Sequence, residues 1–403
     1  MSHTPTLQAP SNYRWVMITL SALTAICALA IPTISLSVLF ADISAELDMS
    51  LVQIGMVWGI GSFTGMFVGL LGGVLGDRFG VRQILVVALI GIGVLGAARG
   101  FAVNFSTFIA ASFFMGVFAP LIGVNLHNVA AKWFPAEQLG LANGILSSAF
   151  AGGFLIGAYF AASSFAPAVG GWRQLIFVYG GVSLILALAW WLLHPAQTEN
   201  KDLRAADRLP ILEGLFKVLQ IRTVWLVGLG KIGIWGCMRG FTGYLPLYLR
   251  NVGWQPEQAD LALSTFFIVS LLGAIPIPML SDRLGIRRPF LILTAFTMGG
   301  GVLLLGFTTT GLVFFGIMLA GVLFDAFMGL SITIVSEIKE LGGALVGTAI
   351  GAIFFLADIG GTIAPPLGNA LAEISAELPF FLWGGMALLG SIAFYLIPQP
   401  EQQ

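Results

Sequence analysis

The sequence predicts an all-α membrane protein with twelve transmembrane helices arranged as two pseudo-symmetric six-helix bundles. Three observations predict it. Hydrophobic residues fill 58% of the 403 positions and charged residues 9%, with a mean hydropathy of +0.96; a water-soluble chain of this length needs far more charge to cover its surface. Apolar runs of about 20 residues, long enough to cross a bilayer, recur twelve times. A charged segment of the first half also returns in the second.

The runs lie at Trp15 to Phe40, Leu51 to Gly76, Ile84 to Ala102, Phe105 to Ala131, Leu139 to Phe165 and Leu175 to Leu193 in the first half. In the second they lie at Val224 to Leu249, Leu261 to Leu280, Phe290 to Phe307, Leu312 to Val335, Ala344 to Leu367 and Phe380 to Ile397. Each must be a helix, because lipid offers the backbone no hydrogen-bond partner. The polar N-terminus runs into an apolar segment too long for a signal-peptide core, so it is expected to stay attached as the first span. Residues 194–222, HPAQTENKDLRAADRLPILEGLFKVLQIR, form the longest polar connection and are expected to be a linker between bundles at 1–193 and 223–403. Its tail around Leu212 to Leu219 is amphipathic and reads as lying on a surface.

Orientation follows from where the basic residues fall. With both termini on the cytoplasmic side, 13 of the 18 Lys and Arg face inward and only Arg173, Arg250 and Arg99 face outward, the remaining two lying in the seventh span. That bias sets the topology of a multi-pass protein of a bacterial inner membrane. A net charge of -1 gives no reason to expect a nucleic-acid partner, and Cys27 and Cys237 sit in apolar runs without metal-ligand spacing.

The segment after the second span, GVLGDRFGVRQ, has a counterpart after the eighth, PMLSDRLGIRRP. Asp77, Arg78, Gly80 and Arg82 align with Asp282, Arg283, Gly285 and Arg287, and Pro278 stands where the first copy has Gly73. The pattern G-x-x-x-D-R-x-G-x-R, met by Gly73, Asp77, Arg78, Gly80 and Arg82, resembles the signature of the major facilitator superfamily, and with twelve spans the resemblance covers the whole chain. It implies that family's fold, with a substrate site between the halves near midplane. It also implies that the aspartate and arginines form a cytoplasmic gate that favours the outward-open state and breaks when the halves rock. A finer likeness lies in AKWFPAEQLGLANGI, Ala131 to Ile145, which is similar to a stretch of the organic-anion, nitrate and cyanate branches. It implies a small anionic substrate.

Four ionisable groups lie deep within spans: Lys231 and Arg239 in the seventh, Asp325 in the tenth and Asp358 in the eleventh. Such groups are costly in lipid and functional by default. At 1.5 Å rise per residue, Lys231 lies roughly 10 to 15 Å above the inner boundary, Asp325 about 15 Å, Asp358 about 20 Å and Arg239 about 25 Å. The depths suggest two pairs, Lys231 with Asp325 and Arg239 with Asp358. Shifted by the repeat offset, all four land on uncharged residues of the first half, so they read as additions for binding or coupling, with two structural ion pairs as the competing reading.

Arg239 and Lys231 are therefore the expected anion ligands, with Asn125 and Tyr244 as neutral contributors, and Asp358 or Asp325 as proton carrier. Asn125, His127 and Asn128 in the fourth span and Asn143 and Ser147 in the fifth supply hydrogen-bonding groups without charge. The expected gate residues are Gly73, Asp77, Arg78, Gly80 and Arg82 with Asp282, Arg283 and Arg287. No nucleotide-binding loop, metal constellation or nucleophile-and-base pair is evident. The reading is a secondary active transporter, not an enzyme, that needs no cofactor and works as a monomer in the lipid bilayer with a small anion and protons as partners. The alternatives are a carrier of a neutral or zwitterionic solute, with the four charges neutralising one another, and a non-transporting receptor.

Overall fold

The structure, a computed structural model, describes residues 12–135, 138–195 and 211–398. Among the described residues eleven helices are long and apolar enough to cross a membrane, and Arg222–Asn251 makes a twelfth when taken with Glu213–Leu219, from which it bends by 81°. In chain order the spans are α1 (Tyr13–Leu47), α2 (Leu51–Phe79), α3 (Val81–Phe101), α4 (Phe105–Trp133), α5 (Leu139–Val169), α6 (Trp172–Leu193), α7 (Arg222–Asn251), α8 (Pro256–Leu284), α9 (Arg288–Leu305), α10 (Leu312–Ser336), α11 (Gly342–Ala372) and α12 (Leu378–Tyr395). Each predicted run coincides with one of them. Several helices overrun the apolar stretch because hydrogen bonding continues into the boundary, as where α1 carries Asp42 and Glu46 on to Leu47.

The chain enters α1 and leaves α12 on one face, called here the linker face; the opposite face is the far face. Two turns of the repeated motif lie on the linker face, and each depends on a glycine in left-handed backbone: Gly80 (φ 88°) between α2 and α3, and Gly285 (φ 66°) between α8 and α9. A side chain there is strained, which explains why both copies of the motif carry glycine at that position. On the far face Asn104 caps α4, accepting from the Thr107 N–H at 3.0 Å.

Several spans are interrupted, and the sequence marks most of the breaks. Wide π-turns at Ala25–Ala30 and Ala161–Phe165 precede Pro32 and Pro167, and breaks in α4 and α8 precede Pro120 and Pro276. Proline lacks the N–H and clashes with the carbonyl four residues back, so the turn before it opens. α10 breaks without proline at Val322–Leu323, beside Gly321. Here α8 and α10 touch backbone to backbone, and a Cβ on Gly321 would stand 2.7 Å from the Phe266 carbonyl.

The largest interfaces follow small residues, the expected basis of helix association where lipid is as apolar as leucine. Glycines 230, 233, 240 and 243 of α7 lie against Phe394, Met386, Trp383 and Trp58 respectively, each leaving no room for a Cβ. α2 runs antiparallel to α11, with Asn369 donating to the Leu51 carbonyl at 2.8 Å, Gly55 against Pro366, and Gly59 against the Thr362 carbonyl.

That seam is tight toward the far face and open toward the linker face. Phe67 is 52% exposed, and a Cβ on Gly69 or Gly347 would touch nothing. The α5–α8 seam behaves alike: Phe154 stacks on Phe267 at 5.3 Å, whereas Gly140 and Gly144, nearer the linker face, have open space. The apolar cores divide the same way. One runs from Ile34 through α7 to α12 and joins the halves at the far face; the other, from Met17 to Trp190, belongs to the first half alone.

The polar connection lies mostly outside the described residues, which include the surface helix Ile211–Leu219. Lys217 pairs with Glu213 at 2.8 Å on its wet side, while Val218 is fully buried. The amphipathic tail thus lies on the protein with one face packed.

Candidate substrate and coupling site

At the edge of the closed seam, α7 brings Arg239 to α2. Its guanidinium donates to the Trp58 carbonyl and stacks over the Trp58 indole at 4.0 Å, while the indole N–H donates back to the Arg239 carbonyl at 2.6 Å. Gly243, one turn on, leaves the space that the indole occupies. Arg239 Nε is buried without a hydrogen-bond partner among the described residues. A carbonyl and a π-face hold the cation in place, yet they do not neutralise it.

Asp358 sits beside this clasp on α11. Its Oδ1 accepts from Trp235 Nε1 at 3.1 Å, and Ser62 of α2 also hydrogen-bonds the carboxylate. α2 presents Trp58, Gly61, Ser62 and Gly65 as one stripe, at the spacing that keeps residues on a single helical face. The two glycines act as windows: a Cβ on Gly61 would stand 3.9 Å from Arg239 Nη2, and one on Gly65 only 3.2 Å from Asp358 Oδ2.

The predicted pairing of Lys231 with Asp325 is corrected, and Arg239 meets Asp358 by charge without a salt bridge. Among the described residues, no salt bridge joins Arg239 to Asp358 or Lys231 to Asp325. Asp358 is instead the carboxylate whose charge acts on both cations. Lys231 is fully buried, donates to Ser331 Oγ at 3.0 Å, and lies over the rings of Phe354 (4.2 Å) and Phe327 (5.6 Å). Asp325 turns to α8: its backbone N–H donates to Ser270 Oγ at 3.1 Å, and the same serine meets its carboxylate. Similar depth does not bring Asp325 to Lys231, because α10 is not continuous. The break at Val322–Leu323 places Asp325 in the first turn of a new segment, where the helix dipole favours a carboxylate.

The neutral candidates stand apart. Asn125 is fully buried within the first half, with its amide on the Leu121 carbonyl at 2.8 Å. Tyr244 is 2% exposed and donates to the Ala376 carbonyl at 3.3 Å, among Tyr248, Phe380 and Trp383 on the far-face side of Arg239. His127 and Asn143 meet across α4 and α5 at 2.9 Å, on exposed wall. The sequence reading missed Trp58, Ser62, Gly61 and Gly65. Their spacing on α2 was the available signal, but nothing in it named α7 and α11 as the face opposite.

At the linker face the side chains of Gly73, Asp77 and Arg78 lie outside the described residues. In the second copy Arg287 joins Asp282 to Glu337, the latter at 3.0 Å, while Arg283 points to the exterior. Hydrogen bonds to Glu337 above all, then to Asp282, raise Arg287 above the ordinary arginine range. Arg82 donates to the Trp191 carbonyl and stacks on its ring at 4.5 Å, as Arg288 does with Tyr395 at 4.8 Å. By contact, the counterpart of Arg82 is thus Arg288, one residue from its partner by offset. On the far face two cations expected to mark topology are paired, Arg173 with Glu46 and Arg250 with the fully buried Asp260, both at 2.7 Å.

Comparison with known proteins agrees with this architecture. The family model of the Major Facilitator Superfamily matches residues 18–255 and 249–403. The nitrite extrusion protein of Bacillus subtilis (strain 168) is 25% identical over 378 residues, covering 94% of this chain and 91% of the relative. The cis,cis-muconate transport protein of Acinetobacter baylyi is 23% identical over 381 residues, covering 90% and 89%. Among solved structures, the nucleoside transporter NupG superposes with a TM-score of 0.79 at 13% identity, covering 96% of this chain and 100% of that one.

Proposed function

This chain belongs to the Major Facilitator Superfamily and is a multi-pass membrane transporter, not an enzyme; from that premise we propose that it carries a small organic or inorganic anion across the bacterial inner membrane by alternating access, coupled to protons. The linker face is the cytoplasmic one in this reading, and the state described is open to the cytoplasm. The halves 1–193 and 223–403 are the bodies that rock. The relatives named for nitrite and for muconate carry anions of very different size, which supports the class of substrate without choosing a member of it.

The observation that carries the proposal is Arg239, a cation between the halves whose hydrogen-bonding and stacking partner among the described residues, Trp58, is uncharged, and which no salt bridge there neutralises. An anion entering from the linker face supplies the missing counter-charge, reaching the guanidinium past Gly61. Rocking to the outward-open state separates α2 of the first half from α7 and α11 of the second on the far face, so Trp58 must release Arg239. The clasp is thus a contact specific to one state, which is what a transport cycle needs.

Asp358 is the proposed proton carrier. Burial disfavours a charged carboxylate, and nearby cations favour it. When the substrate anion claims Arg239, that cation ceases to support the carboxylate and proton uptake follows, so anion and proton cross together. Lys231, enclosed by Phe354, Phe327 and Ser331, is the fixed counter-charge that limits the swing rather than a substrate ligand. Asp325, engaged with Ser270, shapes α10.

Reconstituted vesicles test the scheme. Arg239→Gln is expected to abolish both counterflow and gradient-driven accumulation of nitrite or a short carboxylate. Asp358→Asn is expected to retain counterflow while losing accumulation driven by a pH gradient. If both variants accumulate the anion with unaltered pH dependence, the scheme is wrong.

A further inference from the structure

Arg99 lies two residues from the end of α3, where an arginine ordinarily extends to the membrane boundary and water. Here it folds back. Its Nε donates to the Gly96 carbonyl at 3.3 Å, and the residue is only 4% exposed. Its terminal nitrogens meet no acceptor, and no carboxylate pairs with it, among the described residues. Arg99 instead lines a cavity within the first half, between α1, α3, α4 and α6. A buried cation without a counter-ion is costly, so a site of this kind calls for an anion.

The rest of the wall limits which anion. Tyr179 is committed to Ser35 at 2.9 Å, since the Ser35 hydroxyl itself donates to the Ile31 carbonyl at 2.7 Å. Ser183 donates to the Tyr179 carbonyl at 3.0 Å. Thr33, exposed and following the π-turn and Pro32 of α1, is the hydroxyl left to meet a ligand. One guanidinium, one hydroxyl and apolar walls such as Met115 cannot replace a full hydration shell. They suit an anion that sheds water readily.

We propose that Arg99 and Thr33 form a second anion site, separate from Arg239, that takes a small, weakly hydrated monovalent anion such as nitrate, nitrite or iodide and excludes sulfate and dicarboxylates. It does not depend on the assignment of Arg239.

Crystals of the full chain soaked in iodide test placement directly: an anomalous peak within hydrogen-bonding reach of Arg99 is expected, and a map with no peak there overturns the site. Calorimetry on purified Arg239→Gln, which removes the transport site, measures affinity. Nitrate and iodide are expected to bind this variant and sulfate not, with affinity falling about tenfold or more when Arg99→Gln is added, as for the loss of a charged hydrogen bond. If Arg99→Gln does not fold, Thr33→Val in the same background is expected to weaken binding severalfold. Unchanged affinity in the folded variants overturns the proposal.

Discussion

A guanidinium held by a carbonyl and the face of an indole is still a full positive charge, and this sets Arg239 apart from an arginine in a salt bridge. Its planar shape matters as much as its charge, because an ammonium cannot stack and donate in the same way. Arg239→Lys is therefore expected to weaken anion binding about tenfold or more, read by calorimetry, although the charge is kept. The window glycines give a graded test. Ala at position 65 presses on Asp358 Oδ2 at 3.2 Å, whereas at position 61 it makes ordinary contact with Arg239 at 3.9 Å. Gly65→Ala is expected to reduce proton-coupled transport strongly and Gly61→Ala mildly; the reverse order contradicts the geometry. At this scale the sequence disclosed which side chains were costly, since four charged groups deep within apolar runs stand out by position. It did not disclose their partners. Lys231 and Asp325 lie at similar depths, yet a break in α10 turns Asp325 toward Ser270, and an aromatic enclosure satisfies Lys231.

Helix contacts in this fold depend on glycine, and the positions divide by face. On α2, Gly55 and Gly59 touch α11 backbone, while Gly69 faces open space. Gly59→Ala forces a Cβ to 2.6 Å from the Thr362 carbonyl. It is expected to destabilise the closed far face by about 1–3 kcal/mol, read as a lower midpoint in thermal unfolding, with Gly69→Ala unchanged. Equal midpoints contradict the described packing. All twelve spans were legible as apolar runs because the bilayer leaves helices no competitor. The breaks in α1, α4, α5 and α8 were also written in the sequence, as prolines. The break in α10 was not, since it arises from close approach to α8.

At the scale of the whole molecule, seams tight on one face and open on the other imply a cavity that reaches the linker face alone. In wild-type background, thiols introduced as Gly144→Cys and Gly347→Cys are expected to react quickly with a water-soluble reagent, and Asn369→Cys, at a residue 3% exposed, slowly. Fast labelling at 369 in the unliganded protein contradicts the closed far face. The repeat predicted two related halves, but the left-handed glycines of both turns and the counterpart of Arg82 by contact, Arg288, required structure, because the constant offset of the two motifs aligns Arg82 with Arg287. The account stands or falls on whether the anion and the proton share one site. Calorimetry of anion binding in buffers of different ionisation enthalpy counts protons directly: on saturation with anion each wild-type molecule is expected to take up about one proton and Asp358→Asn none. Binding without proton uptake by the wild type, or uptake that persists in Asp358→Asn, contradicts the coupling of Arg239 to Asp358.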